Sequence, residues 1–237
     1  MQLGVIEVPT LQELFVEKIE DQILSGKLKV GDSLPSERQL QEETHISKSV
    51  VHAGLVELEE MGFVEIIPRK GTVVANYAET GTVDTLNTLI RKNGGNMTAK
   101  QTRSFLEARI ALEGSAIKLL AEKATDEDIE ILRSKLEAAK KIAAENPDDT
   151  DTLAAALYDY HRTICVRSGN EFFPLLLNEF KPIIMGFWEK SIRTFGAEAN
   201  VHLASRYLYY ISAHDAEGAY KRLVRSVNEY INSCSMQ

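Results

Sequence analysis

The sequence has few cysteines and no long hydrophobic run. Its two cysteines, Cys165 and Cys234, lack the close spacing of a zinc site or a redox pair. We expect both to be small buried side chains in a reducing compartment, which indicates the cytoplasm. No apolar stretch approaches the roughly 20 residues of a membrane span, so no membrane partner is expected. The opening MQLGVIEVPT has no basic region, apolar core or cleavage site, and we expect no secretory signal there.

Positive charge is also scarce. The chain carries 27 Lys and Arg against 35 Asp and Glu, a formal net charge of −8. Within residues 1–78, seven Lys and Arg stand against thirteen Asp and Glu, a net −6. This balance argues against a surface that binds nucleic acid non-specifically, and it leaves room only for a local basic patch.

The first eighty residues contain three helical segments followed by a hairpin pattern. Thr10 can cap a first helix that ends at Gly26, and Ser36 with Gln39 has the spacing of a capping box. Ser47 can cap a third helix, and the apolar face of that helix comprises Val50, Val51, Leu55, Leu58 and Met61. Two β-rich runs, FVEII and TVVANY, then flank the turn residues 68–71. This order predicts a helix-turn-helix followed by a two-stranded wing.

Two cations stand side by side at the predicted tip of the hairpin. Arg69 and Lys70 follow Pro68 and precede Gly71. A narrow DNA minor groove attracts cations that are presented on a thin projection. The alternative is a solvated hairpin whose charges only discourage edge pairing. The helix-turn-helix pattern immediately before the hairpin favours contact with DNA.

The segment SLPSERQLQEETHISKSVVHAGLVELEEMGFVEIIPRKGTVV resembles the winged-helix domain of the GntR transcription regulators. The resemblance implies binding to double-stranded operator DNA through an arginine of the second helix, the start of the third helix and the wing tip. The residues it indicates are Arg38, Ser47, Lys48, Ser49, His52, Arg69, Lys70 and Gly71. Lys48 and His52 stand where the family usually has arginine, so the operator sequence of a relative cannot be transferred.

Beyond Asn76 the sequence shows helical periodicity without β signals. Seven segments carry it, and one of them runs from Phe172 to Gly196. We predict a mainly α fold with a winged helix over 1–76, a linker and linker helix over 77–96, and an all-α bundle of about seven helices over 97–237. The bundle has no phosphate loop, nucleophile elbow or paired carboxylates, so we expect no enzyme activity.

The second half resembles the effector domain of the FadR-like subgroup of the same family. The matching pieces are FLEARIALEGSAIKLLAEKAT, YHRTICVRSGN and ISAHDAEGAYKRLVRSV. Many members hold a metal through one Asp and three His, and the corresponding positions here are Leu157, His161, Ala204 and Ser226. Because only His161 is retained, we predict no metal and no cofactor. A shifted metal site that combines His161 with His202 or Asp159 stays open.

The missing metal ligands bear on the effector. The member of the subgroup named for fatty-acid degradation also lacks them and binds long-chain acyl-CoA, so the resemblance implies an acyl-CoA or another carboxylate. Arg109 is the candidate for the anionic group, and the candidate lining residues are His161, Trp188, Tyr207 and Tyr210. Two alternatives stay open, namely ordinary core packing of the aromatic side chains and an i,i+4 pair between Arg109 and Glu113.

These features predict a ligand-responsive transcription regulator that acts as a homodimer on a near-palindromic operator. A single domain with so few cations would bind weakly, and two linked copies would compensate through avidity. Two other functions stay open. One is a metal-dependent sensor of a small organic acid, and the other is a winged-helix protein-interaction module that does not bind DNA.

Overall fold

The computed structural model describes residues 8–234, with side chains described as far as residue 232. The expectations for residues 1–7 and for the Cys234 side chain therefore lie outside the described residues. The chain divides into two units, Met1–Leu89 and Ile90–Gln237. The division falls within the segment 77–96 that the sequence predicts as a linker.

The first unit contains three helices, a two-stranded sheet, a short fourth helix and the greater part of a fifth, which continues past Leu89. In chain order they are α1 Leu11–Leu24, α2 Glu37–Thr44, α3 Lys48–Glu60, β1 Val64–Ile67, β2 Gly71–Val74, α4 Tyr77–Thr80 and α5 Val83–Lys92. The predicted caps are present, because Thr10 and Ser36 form capping boxes and the Ser47 side chain accepts from the Val50 N–H. The predicted helix-turn-helix is confirmed.

The two strands form the predicted wing. They pair antiparallel, with Val64 opposite Val74 and Ile67 opposite Gly71. The first unit also has its own core, to which α1, α3 and both strands contribute. The inward face of α3 is Val51, Leu55 and Leu58, each at most 1 % exposed. This core fixes the wing and the start of α3 on one rigid support.

Gly62 ends the third helix where no side chain fits. Its φ is +75°, and a Cβ there would overlap the backbone carbonyl of Thr80. Gly26 has the same φ, yet a Cβ there would meet nothing within 4 Å. We expect Gly26→Ala to cost about 1 kcal/mol through its left-handed backbone alone, and Gly62→Ala to cost more than about 3 kcal/mol. Thermal melts followed by circular dichroism test this, and equal losses in the two variants would contradict it.

The second unit is all-helical within its described residues, as predicted. Its seven helices are α6 Ala99–Lys123, α7 Asp126–Glu145, α8 Thr150–Arg167, α9 Phe172–Glu179, α10 Lys181–Phe195, α11 Ala197–Ser212 and α12 Ala216–Cys234. The prediction of one continuous segment over 172–196 is wrong. The chain leaves helical geometry at Phe180, with ψ of +6°, and the next helix begins at Lys181. Pro182 fits the first turn of that helix because a missing N–H is tolerated there.

The core of the second unit contains the predicted buried thiol and a cluster of three polar or charged side chains. Cys165 is fully buried, as predicted, and burial raises the pKa of its thiol. Arg109, Glu113 and His161 are also buried in this apolar interior. Buried charges require partners, so these three residues are candidates for a functional site. No helix among residues 8–234 is long and apolar enough to cross a membrane.

Candidate functional site

The start of α3 presents small polar groups and one cation on the surface of the first unit. Ser47, Lys48 and Ser49 are all exposed. The Ser47 hydroxyl caps the helix, and the Ser47 and Ser49 hydroxyls lie 3.0 Å apart. The N–H groups of a first helical turn have no intrahelical acceptor, and they suit a phosphate oxygen. The structure thus places the three residues together as the sequence predicts.

Two other candidate DNA contacts have acidic neighbours on α2. Arg38 Nε lies 2.9 Å from Glu42 Oε1, and the Arg38 side chain is 86 % exposed. His52 Nδ1 lies 2.8 Å from Glu37 Oε1. Exposed ion pairs contribute at most about 1 kcal/mol, so a DNA phosphate can replace either carboxylate. Neither pair is among the expectations from the sequence, although the i,i+4 spacing of Arg38 and Glu42 predicts the first of them.

The wing tip is a tight turn with an arginine in an unusual conformation. The Lys70 N–H donates to the Ile67 carbonyl at 3.0 Å, which places Pro68 and Arg69 at the two central positions of a β-turn. Arg69 has φ of +66°. A turn with proline first and positive φ second is type II, whose second central position normally takes Gly or Asn. The exposed Arg69 therefore holds a left-handed backbone at a cost of about 1–2 kcal/mol.

In the second unit, three charged or polar side chains meet inside the core. Arg109 Nε donates to Glu113 Oε1 at 3.0 Å, and Arg109 Nη2 lies 3.5 Å from His161 Nε2. His161 Nδ1 lies 2.8 Å from Glu113 Oε2, so the two groups face each other at close range. The i,i+4 pair between Arg109 and Glu113 that the sequence left open is therefore present.

Aromatic rings enclose this cluster. The Arg109 guanidinium lies over the Trp188 ring at 4.7 Å and over the Phe187 ring at 5.5 Å. The His161 ring lies 5.1 Å from Trp188 and 5.7 Å from Tyr207, measured between centroids. Four of the five candidate effector residues are thus brought together by α6, α8, α10 and α11.

Tyr210 is the candidate that the structure places elsewhere. Its ring packs against Tyr209 at 5.3 Å between centroids, and it lies beside Gly218. Two open grooves between α7 and α11, of about 460 and 410 Å³, also lie apart from the cluster and contain none of the candidate effector residues. The interior cluster is therefore the candidate effector site.

The residues considered for a shifted metal site do not converge. His161 faces Glu113 in the core, whereas Asp159 pairs with Lys135 at the surface. His202 is exposed and lines one of the grooves. Within the described part of the chain, no three His, Cys, Asp or Glu side chains are grouped to hold a metal ion.

Charge inside the cluster is balanced at neutral pH. Burial alone would raise the pKa of Glu113, but the charges of Arg109 and His161 lower it from 4.5 to about 2. Burial lowers the pKa of His161, and the charge of Arg109 adds to this effect while Glu113 opposes it. At pH 7 we therefore expect Arg109 cationic, Glu113 anionic and His161 neutral.

These shifts predict loss of stability in acid. Because His161 takes up a proton more readily when unfolded, the stability present above its ordinary pKa of 6.5 falls as the pH drops below that value. Because the pKa of Glu113 is lowered in the folded protein, a second loss of stability follows as the pH falls from 4.5 towards about 2. Urea unfolding from pH 8 to pH 4 tests the first step. His161→Gln should flatten it, the exposed control His202→Gln should not, and an unchanged curve for His161→Gln would contradict the assignment.

Comparison with known proteins agrees with both halves of the chain. Residues 11–74 match the family model "Bacterial regulatory proteins, gntR family", and residues 104–229 match the FCD domain. The uncharacterised HTH-type transcriptional regulator YcbG of Bacillus subtilis is 24 % identical over 72 % of this chain and 67 % of its own length. The HTH-type transcriptional regulator Mce2R of Mycobacterium tuberculosis is 33 % identical over 54 % of this chain. The matched part covers 52 %, about half, of the length of that relative.

A solved structure shows the same fold. Lar, which controls the expression of the Listeria monocytogenes agr system, has a TM-score of 0.62 and 15 % identity, covering 95 % of this chain and 97 % of its own. At that identity the likeness concerns the fold alone. The two family matches together cover the winged helix with its basic wing and the helical unit with its buried polar cluster. The chain belongs to the GntR family of bacterial regulatory proteins, and it is a transcription regulator with an FCD effector-binding domain rather than an enzyme.

Proposed function

We propose that the protein is a ligand-responsive regulator that binds double-stranded operator DNA as a homodimer in the cytoplasm. The observation that carries this proposal is the wing tip, where Arg69 in left-handed geometry and Lys70 project from an otherwise acidic domain. The exposed start of α3 would enter the major groove, and the wing would lie along the neighbouring minor groove.

The dimer follows from the small number of available cations. Arg38, Lys48, Arg69 and Lys70 are exposed in each copy, against a net charge of −6 over residues 1–78. Four phosphate or base contacts support only weak, salt-sensitive binding. Two copies related by a twofold axis would double the contacts, and they would require a near-palindromic operator.

The effector that fits the proposal best is an acyl-CoA or another carboxylate. The support is a buried arginine, Arg109, within an aromatic enclosure formed by His161, Trp188 and Tyr207. An anion that binds there must favour one helix arrangement, because a ligand shifts operator affinity only by its differential affinity for two states. We propose that the segment 77–96 transmits the change, since the chain passes through it from one unit to the other.

Gel shifts with the DNA upstream of the protein's own gene test the function. We expect a retarded complex at low salt, and release of the DNA by palmitoyl-CoA or by a small carboxylate such as citrate. Absence of any complex at low salt would favour the protein-interaction module. Release by citrate only after addition of zinc would favour the metal-dependent sensor.

Hydrogen exchange tests the proposed route of transmission. Exchange rates that stay unchanged over 77–96 on ligand addition would contradict that route.

A further inference from the structure

One short helix of the second unit, α9, carries large apolar side chains on the face that points away from the core. Phe172, Leu175 and Leu176 are 72 %, 62 % and 45 % exposed. Their i, i+3, i+4 spacing places the three side chains on one face of the helix. Leu177, on the opposite face, is buried in the core of the unit. The outward face of a surface helix is normally charged or polar, so an apolar outward face indicates a surface that something covers.

Hydrogen bonds at both ends hold α9 in place. The Tyr158 hydroxyl on α8 donates to Asn178 Oδ1 at 3.0 Å, and Arg162 Nε donates to the same oxygen at 2.9 Å. At the start of α9, Asn170 Oδ1 accepts from the Phe172 N–H at 2.9 Å. The outward face is therefore preformed, and a partner that binds it need not order the helix first.

The end of α8 adds a fourth side chain to this surface. Val166 is 44 % exposed and lies two turns beyond Tyr158, on the face of α8 that holds α9. The short turn between the helices and the bonds to Asn178 set α8 and α9 antiparallel, which brings Val166 near Phe172. We call the four exposed side chains the α9 patch, namely Val166, Phe172, Leu175 and Leu176.

The area of the α9 patch fits one half of a protein interface. At their exposed fractions the four side chains present about 400 Å² of apolar surface. Two such patches face to face would bury about 800 Å², close to the apolar share of a standard interface of about 1,600 Å². Phe195 and Tyr209, the other exposed large hydrophobic residues in the described part of the second unit, stand singly on α10 and α11.

Charged residues border the patch and leave its centre uncharged. Glu171 precedes α9 on the chain, Glu179 ends it and Lys181 follows it, and all three are exposed. An apolar centre with a charged rim is typical of protein interfaces. In an antiparallel pair of α9 helices, Glu171 of one copy faces Glu179 together with Lys181 of the other, a set with no net charge. In a parallel pair Glu171 faces its own copy, so charge favours the antiparallel pair.

We propose that the α9 patch is the contact between two copies of this chain, formed by antiparallel α9 helices about a twofold axis. A twofold contact uses the same residues of both copies, and an apolar face with a balanced rim is complementary to itself. A second copy is favoured over another partner because the few cations of one winged helix support only weak DNA binding. This inference rests on the proposed homodimer, and it names the surface that forms it.

Analytical ultracentrifugation of the full-length protein tests the proposal through two opposite substitutions. Leu175→Glu and Leu175→Lys each place a charge at the centre of the contact, where it meets the same charge of the second copy. Each variant alone should dissociate, with the dissociation constant of the dimer raised at least about 1,000-fold. An equimolar mixture of the two should recover dimers, because opposite charges then meet. Tyr209→Glu is the matched control, since it places the same charge at a residue 66 % exposed outside the patch.

We expect the wild type and Tyr209→Glu to sediment at twice the mass of the chain. Recovery in the mixture distinguishes a lost contact from a lost fold, because it requires both variants to be folded. The proposal is overturned if Leu175→Glu stays dimeric, or if the mixture stays monomeric. A monomeric wild type also overturns it, and would assign the patch to a different protein.

Gel shifts on the same variants separate this inference from the proposed function. If Leu175→Glu is monomeric and binds the operator at least about 100-fold more weakly than the wild type, both stand. If it is monomeric and binds as tightly as the wild type, the contact stands and the proposed need for a dimer on DNA fails. If the wild type and Leu175→Glu are both dimers, the proposed homodimer stands and the α9 patch fails.

Discussion

Replacing Arg69 with glycine and Lys70 with glutamine is expected to weaken operator binding by the dimer at least about 1,000-fold, without loss of folding stability. Contacts of these kinds contribute about 1–3 kcal/mol each, and two per copy account for the expected change. Glycine at position 69 accepts the φ of +66° that arginine adopts at a cost, so stability should stay equal or rise by about 1 kcal/mol. Function and stability therefore change in opposite directions, which an unfolded variant cannot imitate.

Fluorescence anisotropy across a salt series measures this effect. The slope of log K against log salt should become shallower by about 2 per protomer, because two fewer counterions are released. Lys140→Gln with Lys141→Gln is the matched control, since these adjacent cations are exposed on α7 in the second unit. Operator affinity that is equal in the wing variant and the control would remove the wing from the DNA interface.

The second large effect is expected at Glu113. Glu113→Gln should lower the free energy of unfolding by about 3–5 kcal/mol, because it leaves the Arg109 charge buried without its anionic partner. The comparison is Glu42→Gln, which breaks an i,i+4 pair of the same residue order at a surface where Arg38 is 86 % exposed. That change should cost less than about 1 kcal/mol.

Trp188 makes this measurement specific to the second unit. It is the only tryptophan of the chain, and it stacks on Arg109. Urea unfolding followed by its fluorescence reports the cluster directly. Replacing both partners, as in Arg109→Met with Glu113→Leu, should recover most of the lost stability, since a buried ion pair is often replaceable by apolar residues. Wild-type stability in Glu113→Gln alone would show that the pair does not contribute.

The sequence was most informative where structure is local. Thr10, Ser36 and Ser47 cap their helices because a capping hydroxyl acts within one turn, which is visible in a few adjacent letters. The turn residues 68–71 predict the hairpin in the same way. The break at Phe180 was missed because the apolar periodicity continues through it, and Pro182 is compatible with both the interior of a kinked helix and the first turn of a new one.

The candidate site was predictable only in part, because it is assembled from distant helices. The i,i+4 spacing suggested the pair of Arg109 and Glu113, but nothing local places His161 beside it. Tyr207 and Tyr210 are both candidate lining residues from the sequence, but they are three residues apart on α11 and their rings have different neighbours.

The contacts at the C-terminal end of α3 bear on the proposed transmission of a signal between the two units. The Thr80 hydroxyl donates to the Gly62 carbonyl at 2.9 Å, and the Thr85 hydroxyl donates to the Met61 carbonyl. The carbonyls that terminate α3 are thus held by α4 and the start of α5, the stretch of chain that continues toward the second unit. Tension on that stretch would pull on the C-terminal end of α3, and the wing would move with the helix because both are packed in one core.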